Sequence, residues 1–488
     1  MHTISRPGWR TRAALAVIVT LLLTFTTTAM AFASTGAKKP LLRISKDPFT
    51  NSSSQHKTQV EPDTYSSGST IVSAFQSGRF FDGGGSDIGW ATSTDNGVTW
   101  KNGFLPGTTP YSTPPGPYAR VSDASVAFDA KHNVWIISYL GLTNGNAVDV
   151  DVSRSTDGGL TWSNPVPVNN SGPFFDKNWS VCDDTASSPF YGNCYTEYDN
   201  ANQGDLEQMS TSSDGGKTWT AKTPSGSPHG LGGQPLVQPN GNVVVPFEDL
   251  NNTESAFTST NGGTSWGAAV TIATINVFSE PASFRTSPLP SAEIDGSGTV
   301  YVAWQDCRFE NGCSANDIVY STSSDGSHWS AVQRVPADPV GSGVDHFIPG
   351  FAVDKSTSGS SAHLAVAYYY FTSASCTSNC QLDVGFISST NGGSTWSASK
   401  QLAGPMMLTW LANTNQGRMV GDYMSTSFAA NGNAFPVFAV AKKNKGTKFN
   451  EAMYTFRGGL SVAGGTLSSK ATVLFTGQTH QSGHLTAF

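Results

Sequence analysis

Ser93-Thr94-Asp95-Asn96-Gly97-Val98-Thr99-Trp100 is the first of six near-copies of one octet. The others run 155–162, 212–219, 259–266, 323–329 and 389–396, with starts 62, 57, 47, 64 and 66 residues apart. Asn261 and Asn391 stand in place of the aspartate in two copies, and the fifth is one residue shorter, with Asp325-Gly326 ahead of Ser327-His328-Trp329. A period of this size marks an array of repeated supersecondary units. Each octet reads as a hairpin turn. Asn-Gly, Asp-Gly or Gly-Gly supplies positive φ, the Asp or Asn side chain bonds amides within the turn, and the closing Trp is a large apolar wedge. The octet carboxylates are therefore expected to be structural and not catalytic.

Working upstream from each octet gives one coarse order: a short apolar strand, a turn, a second strand rich in Val, Tyr and Trp, a variable loop, and a third strand ending in the octet. Ala124–Phe128, Val134–Leu140 and Val148–Ser153 form one such set; Ile294, Thr299–Gln305 and Asp317–Thr322 mark another. With the strand after Trp, each unit holds four antiparallel strands, the content of one propeller blade. The fold class is all-β, a β-propeller. First strands near Pro62, Asp123, Lys177, Gln234, Pro288, Ile348 and Val420 favour seven blades, with six as the alternative, since only six octets exist. The seventh unit, Met419–Phe456, has strand-like Phe435–Val440 and Ala452–Phe456 but no octet. Leu41–Phe49 is expected to add a strand to that C-terminal blade and close the ring.

Composition agrees. The 488 residues include 51 Gly and 12 Trp but only 13% charged residues, about half the usual share, which excludes coiled coils and charge-rich disordered chains. A formal charge of −7 gives no net pull toward nucleic acid or anionic lipid. Arg6, Arg10 and Arg12, an apolar run from Ala13 to Phe25, and Ala31-Phe32-Ala33 read as an export signal cleaved after Ala33. The expected organisation is a signal peptide, 1–33, and a single domain, 34–488. No later segment is long and apolar enough to span a bilayer. All six cysteines lie beyond the signal in close pairs: Cys182 with Cys194, Cys307 with Cys313, Cys376 with Cys380. An exported chain with an even count suggests disulfides, although proximity alone does not fix their connectivity. No Cys-x-x-Cys or His-Glu-x-x-His motif occurs, and no metal or cofactor is implied.

The octet resembles the Asp-box, or BNR repeat, of the sialidase-like superfamily of secreted propellers. In that superfamily the boxes lie at the turn between third and fourth strands, away from the active face, so the motif names a fold more than a substrate. Sialidases also carry a Phe/Tyr-Arg-Ile-Pro motif whose Arg is one of three holding a substrate carboxylate, followed by a strand and a catalytic Asp. Phe284-Arg285-Thr286-Ser287-Pro288, with Asp306 and Arg308 after the strand 299–305, is similar in order. It lacks the Ile, has an extra residue before Pro, and follows four octets. The resemblance further implies a Tyr nucleophile activated by a Glu. Tyr423, five residues after Arg418 in Gly417-Arg418-Met419-Val420-Gly421-Asp422-Tyr423, is the nucleophile candidate. Arg154 and Arg334, in or beside outer strands, read as solvated surface.

In a propeller the first strands surround the axis, so residues near their starts converge on one mouth. These are Glu61, Asp63, Asp123, Asp176, Lys177, Gln234, Arg285, Asp345, His346, Arg418 and Asp422. Mixed carboxylates and guanidinium groups suit an acidic sugar: arginine holds a carboxylate bidentately, and two carboxyl groups in different environments divide acid and base roles at a glycosidic bond. Asp306 is the leading general acid/base, Glu61 its partner, and Tyr423 the nucleophile. Arg285, Arg418 and Arg308 bind the anion, and His346, Asp63, Asp123, Lys177 and Asp422 contact substrate. Trp179, Phe347 and Tyr118 are candidate stacking platforms. The expected function is a secreted, exo-acting sialidase-like glycoside hydrolase on an acidic glycan, as a monomer with no nucleic-acid or membrane partner. An uronate-specific polysaccharide lyase and a non-catalytic glycan- or protein-binding propeller are the alternatives.

Overall fold

The computed structural model describes residues 39–143, 146–172, 174–470 and 472–474. The expected export signal lies outside the described residues. From Leu41 onward the chain is all-β, in antiparallel sheets of mostly four strands. The first set is Gln59–Ser67, Thr70–Arg79, Gly85–Ser93 and Lys101–Phe104, and the second begins at Arg120–Asp129. Further sets begin at Phe175–Cys182, Gly230–Leu231 with Leu236–Val237, Ser291–Ile294 and Asp345–Val353. The last set is Ser425–Phe428, Asn433–Ala441 and Glu451–Phe456, and Leu41–Arg43 supplies its fourth strand, with Leu42 opposite Thr455. The N-terminal stretch thus joins the C-terminal sheet as its sequence position suggested.

The strands form because short runs of Val, Ile, Tyr and Trp fit a pleated surface covered on both faces. Apolar clusters lie between consecutive sets. Val72 of the first meets Val126 and Tyr139 of the second; Val244 of the fourth meets Val302 and Val319 of the fifth. Ile71 of the first set meets Ala429 and Phe435 of the last. Burying one such Phe side chain is worth ~1.5–3 kcal/mol. The inner strands pack in the same order, each on the next, and Gln59–Ser67 also touches Ser425–Phe428 of the last set.

The octets occupy the turns between third and fourth strands. In the first, Asp95 Oδ1 accepts from Val98 N at 3.1 Å, Thr99 N at 2.9 Å and Ser93 Oγ at 2.8 Å, while Oδ2 accepts from Thr99 Oγ1 at 2.6 Å. Against a desolvation cost, these bonds pull the Asp95 carboxyl down to about 2. Asp157 and Asp214 repeat the pattern. These carboxylates are thus bonded within their own turns. Gly97 has φ 73° and leaves no room for a Cβ against Phe435 of the last set. Gly159 likewise packs on Val72 and gives its carbonyl to Thr92 Oγ1 at 2.6 Å. Gly97 and Gly159 are therefore both turn residues and close contacts with a neighbouring sheet.

Three disulfides, Cys182–Cys194, Cys307–Cys313 and Cys376–Cys380, match the proximity pairing. Among the described residues, no helix is long and apolar enough to cross a membrane. One expectation is overturned: Arg334 is not solvated surface. It is 3% exposed, with NH2 at 2.6 Å from both Asp317 Oδ1 and Asp338 Oδ1.

Candidate active site

Four inner strands share one irregularity near their starts. In each, one extra residue is inserted against the second strand: between Val60 and Asp63, Ser122 and Ser125, Asp176 and Trp179, and Phe347 and Gly350. The residues in those bulges have positive φ: Glu61 56°, Asp123 49°, Lys177 49° and Ile348 49°. A non-glycine residue held there costs ~1–3 kcal/mol, and bulges re-aim a side chain out of the alternating pattern. Three of the four are ionisable, and those three meet.

The Lys177 ammonium lies 2.6 Å from Asp422 Oδ2 and 3.3 Å from Asp123 Oδ1. Arg285 grips Asp422 side-on, with Nε 2.7 Å from Oδ1 and NH2 bonded to Oδ2. The backbone N–H of Asp422 donates to Glu61 Oε1 at 3.4 Å, and the Gln76 amide donates to Oε2. Tyr423 donates its OH to Ala124 O at 3.4 Å, and its ring meets Trp179 edge-on at 5.1 Å. Each of these ionic groups and Tyr423 is less than a tenth exposed.

Such burial separates the acids. Glu61 is pushed up to about 8, by desolvation first and then by the charges of Asp123 and Asp422. Asp422 moves the opposite way: desolvation opposes ionisation, but Arg285 and Lys177 outweigh it and hold the carboxylate ionised. Near neutral pH, Glu61 keeps its proton and Asp422 does not. The Tyr423 phenol is pushed up by burial and by Asp123, Glu61, Asp63 and Asp422, so it loses its proton only in step with a base that takes it.

Of the expected site residues, Glu61, Asp123, Lys177, Arg285, Asp422 and Tyr423 are brought together. Arg418 lies alongside at the backbone, its carbonyl accepting from Arg285 N at 2.8 Å, but its guanidinium turns to Leu411 O at 3.0 Å. Asp306 and Arg308 pair with each other at the end of Val300–Asp306, with Arg308 Nε 2.9 Å from Oδ1 and NH2 2.6 Å from Oδ2. Trp304 Nε1 and Asn276 N also bond Asp306 Oδ2, which leaves that carboxylate fully engaged. Asp63 joins neighbouring sets, accepting from Thr64 N at 2.7 Å and Val126 N at 2.6 Å. His346 lies at another seam, its N–H donating to Asn316 O at 2.9 Å and its ring stacked on Tyr370. Phe347 and Tyr118 are core residues, while Trp179 is half-buried beside Tyr423.

Sequence reading passed over Arg79. It ends Thr70–Arg79, is 2% exposed, bonds Gly84 O and Met419 Sδ, and adds a second guanidinium near Arg285 and Glu61. It also passed over Glu197, Asp199 and Glu207, buried beside Asp176. Asp199 faces Asp176 on one neighbouring strand and Glu207 on the other. Alternating acids in 197–199 were the available signal. Asp317, Asp338 and His346 have potential ligand atoms within 4.8 Å of one another, but the Arg334 guanidinium supplies the cation there.

No family model matches the sequence. A curated sialidase of Bacteroides fragilis is 29% identical over 110 residues, 19% of this chain and 20% of that protein. A xyloglucanase of Acetivibrio thermocellus is 32% identical over 174 residues, 32% of this chain and 18% of that protein. The chain thus matches about a fifth of the length of these relatives. Among solved structures, a Hadza microbial sialidase has a TM-score of 0.45 at 16% identity, covering 64% of both chains. The leech intramolecular trans-sialidase has a TM-score of 0.44 at 12% identity, covering 67% of both.

Proposed function

We propose that this protein is an exported glycoside hydrolase of sialidase-like type, built as a seven-bladed propeller in a single domain, with its chemistry at the mouth where Glu61, Arg285, Asp422 and Tyr423 meet. The observation that carries the reading is the meeting of Glu61, which accepts from the Asp422 backbone N–H, with an Asp422 carboxylate held by Arg285 and Lys177, the two carboxyl groups being driven in opposite directions by their surroundings. A buried carboxyl that keeps its proton near neutral pH is suited to act as a general acid, and one held ionised by cations is suited to fix them in place. Glu61 keeps a proton to give to the leaving glycosidic oxygen. Asp422 holds Arg285 and Lys177 in place. Tyr423 attacks the anomeric carbon as a neighbouring carboxylate, Asp123 or Asp63, takes the phenolic proton. Arg285 NH1 has no hydrogen-bond partner, which suits a carboxylate on the sugar and favours an acidic glycan. The seven-bladed reading rests on the circuit of inner-strand contacts and on Leu41–Arg43 in the last sheet. Export is supported by the three disulfides.

The test is turnover of chromogenic glycosides of sialic and uronic acids by the purified chain. Tyr423→Phe and Glu61→Gln are each expected to lower kcat by at least about 100-fold with the fold intact. Products absorbing in the ultraviolet as unsaturated uronates point to the lyase instead. Full activity in both variants removes these residues from the mechanism.

A further inference from the structure

The far ends of the inner strands converge as the near ends do. Gln59–Ser67 carries Glu61 near its start and Tyr65 near its end; at ~3.3 Å per residue the two lie ~13 Å apart. There Tyr65 OH donates to Asp184 Oδ2 at 2.9 Å, and the Lys355 ammonium lies 3.3 Å from the same hydroxyl and 4.9 Å from the ring centroid. Lys355 follows Asp345–Val353 of the sixth set, Asp184 follows Phe175–Cys182 of the third, and Glu293, close enough to feel the Lys355 charge, belongs to the fifth. Four chain segments remote in sequence thus present polar side chains to one place.

That place borders a cavity of about 410 Å³, lined by Tyr65, Glu293, Lys355, Thr426, Ser427 and Phe428, among others. Its size falls in the ~300–1,000 Å³ range of small-molecule sites. Lys355 is exposed into it. Thr426, fully buried, has a hydroxyl oxygen with no partner, and Ser427 holds Ser66 at 2.7 Å. The one ammonium is already balanced by the Asp184 and Glu293 carboxylates, so an anion gains little. A polyol gains more: its hydroxyls donate to a carboxylate, accept from an ammonium and exchange bonds with Thr and Ser, while its C–H face covers Phe428.

We infer that this cavity, at the end of the inner strands opposite the candidate active site, is a second, non-catalytic binding site for a neutral sugar. The inference does not depend on the hydrolase reading.

Saturation-transfer NMR of the full chain with the methyl glycosides of glucose, galactose, mannose and xylose tests it. At least one is expected to bind saturably at millimolar concentration and to weaken by about tenfold or more in Lys355→Met. Ser356→Trp fills the cavity from its exposed rim without touching the buried groups and is expected to block the same glycoside. Glu61→Gln is expected to leave that binding unchanged. Failure of all four probes to saturate overturns the inference. So does displacement by inorganic phosphate, or binding that Glu61→Gln abolishes while Lys355→Met and Ser356→Trp spare it.

Discussion

Replacing Asp422 with Asn keeps the shape of the side chain and removes its charge from the centre of the network. Two Arg285 nitrogens and the Lys177 ammonium bond this carboxylate, and all three side chains are buried. Lys177 retains Asp123 at 3.3 Å. Arg285 has only the more distant charges of Glu61 and Asp123 in reserve, since among the described residues both of its side-chain hydrogen bonds go to Asp422. Breaking a buried pair by removing one partner costs ~3–5 kcal/mol, whereas an exposed pair is worth ~0–1 kcal/mol. Some of that loss is returned, because the Asp422 charge is one of the forces opposing ionisation of Glu61. A net loss near ~3 kcal/mol is therefore expected for Asp422→Asn. The assay is urea unfolding followed by tryptophan fluorescence, with Arg285→Met and the double variant completing a cycle. A coupling energy of at least ~2 kcal/mol is expected for a contacting buried pair. A loss below ~1 kcal/mol with no coupling would mean that the two groups behave as solvated ions, and the closed network would be wrong.

Three further outcomes follow from particular contacts. Asp176, Glu207, Glu248, Glu293 and Asp345 are pushed up to about 7 and Glu61 to about 8, in each case chiefly by burial. The folded chain therefore keeps protons that the unfolded chain has released, so stability should fall as pH rises from 5 to 8, by up to ~1.4 kcal/mol per pH unit for each such acid; a denaturation midpoint higher at pH 8 than at pH 5 contradicts this. Asp157→Ala removes four hydrogen bonds from one octet and is expected to cost ~1–2 kcal/mol in thermal unfolding without changing turnover, since the turn lies away from the candidate active site. Deleting residues 39–45 takes away the strand partner of Glu451–Phe456 and the buried Ile44 side chain. A loss of about 3 kcal/mol and self-association through the bared strand edge, read by light scattering, are expected.

The octets made the strand order and the turn positions legible, because glycine, Asp or Asn, and Trp at fixed offsets act locally and need no tertiary context. The joining of Leu41–Arg43 to the last sheet was also legible, since the last unit lacked an outer strand of its own. At the candidate site, position along the strand was readable and direction was not. Glu61, Asp123, Lys177 and Asp422 stood out as charges at strand starts in a chain with few charges, and they do converge. Arg418 stood out for the same reason and Asp306 for its place after a strand in the motif-like stretch, yet the first turns toward Leu411 and the second closes on Arg308. Which way a long side chain leaves a strand start depends on neighbours from other sheets, and no local pattern encodes them. Arg79 went unnoticed because it ends a second strand and reaches the cluster from the side.

The bulges link the repeat to the chemistry. A regular strand would alternate Glu61 and Pro62, or Lys177 and Asn178, between the two faces of a sheet packed on both sides, and a charge on either face would be buried against apolar neighbours. One inserted residue with positive φ instead turns the side chain out of the sheet plane at the strand's inner edge. Glycine takes that conformation at least cost, yet these positions hold Glu, Asp, Lys and Ile. The strain is tolerated where a charged side chain gains a partner: Lys177 reaches Asp123 and Asp422, and Asp422 fixes Arg285. Ile348 marks the contrast, since the same backbone in the sixth set gives only a buried apolar contact. The scaffold repeats the device; the residue placed in it decides whether that position contributes chemistry or packing.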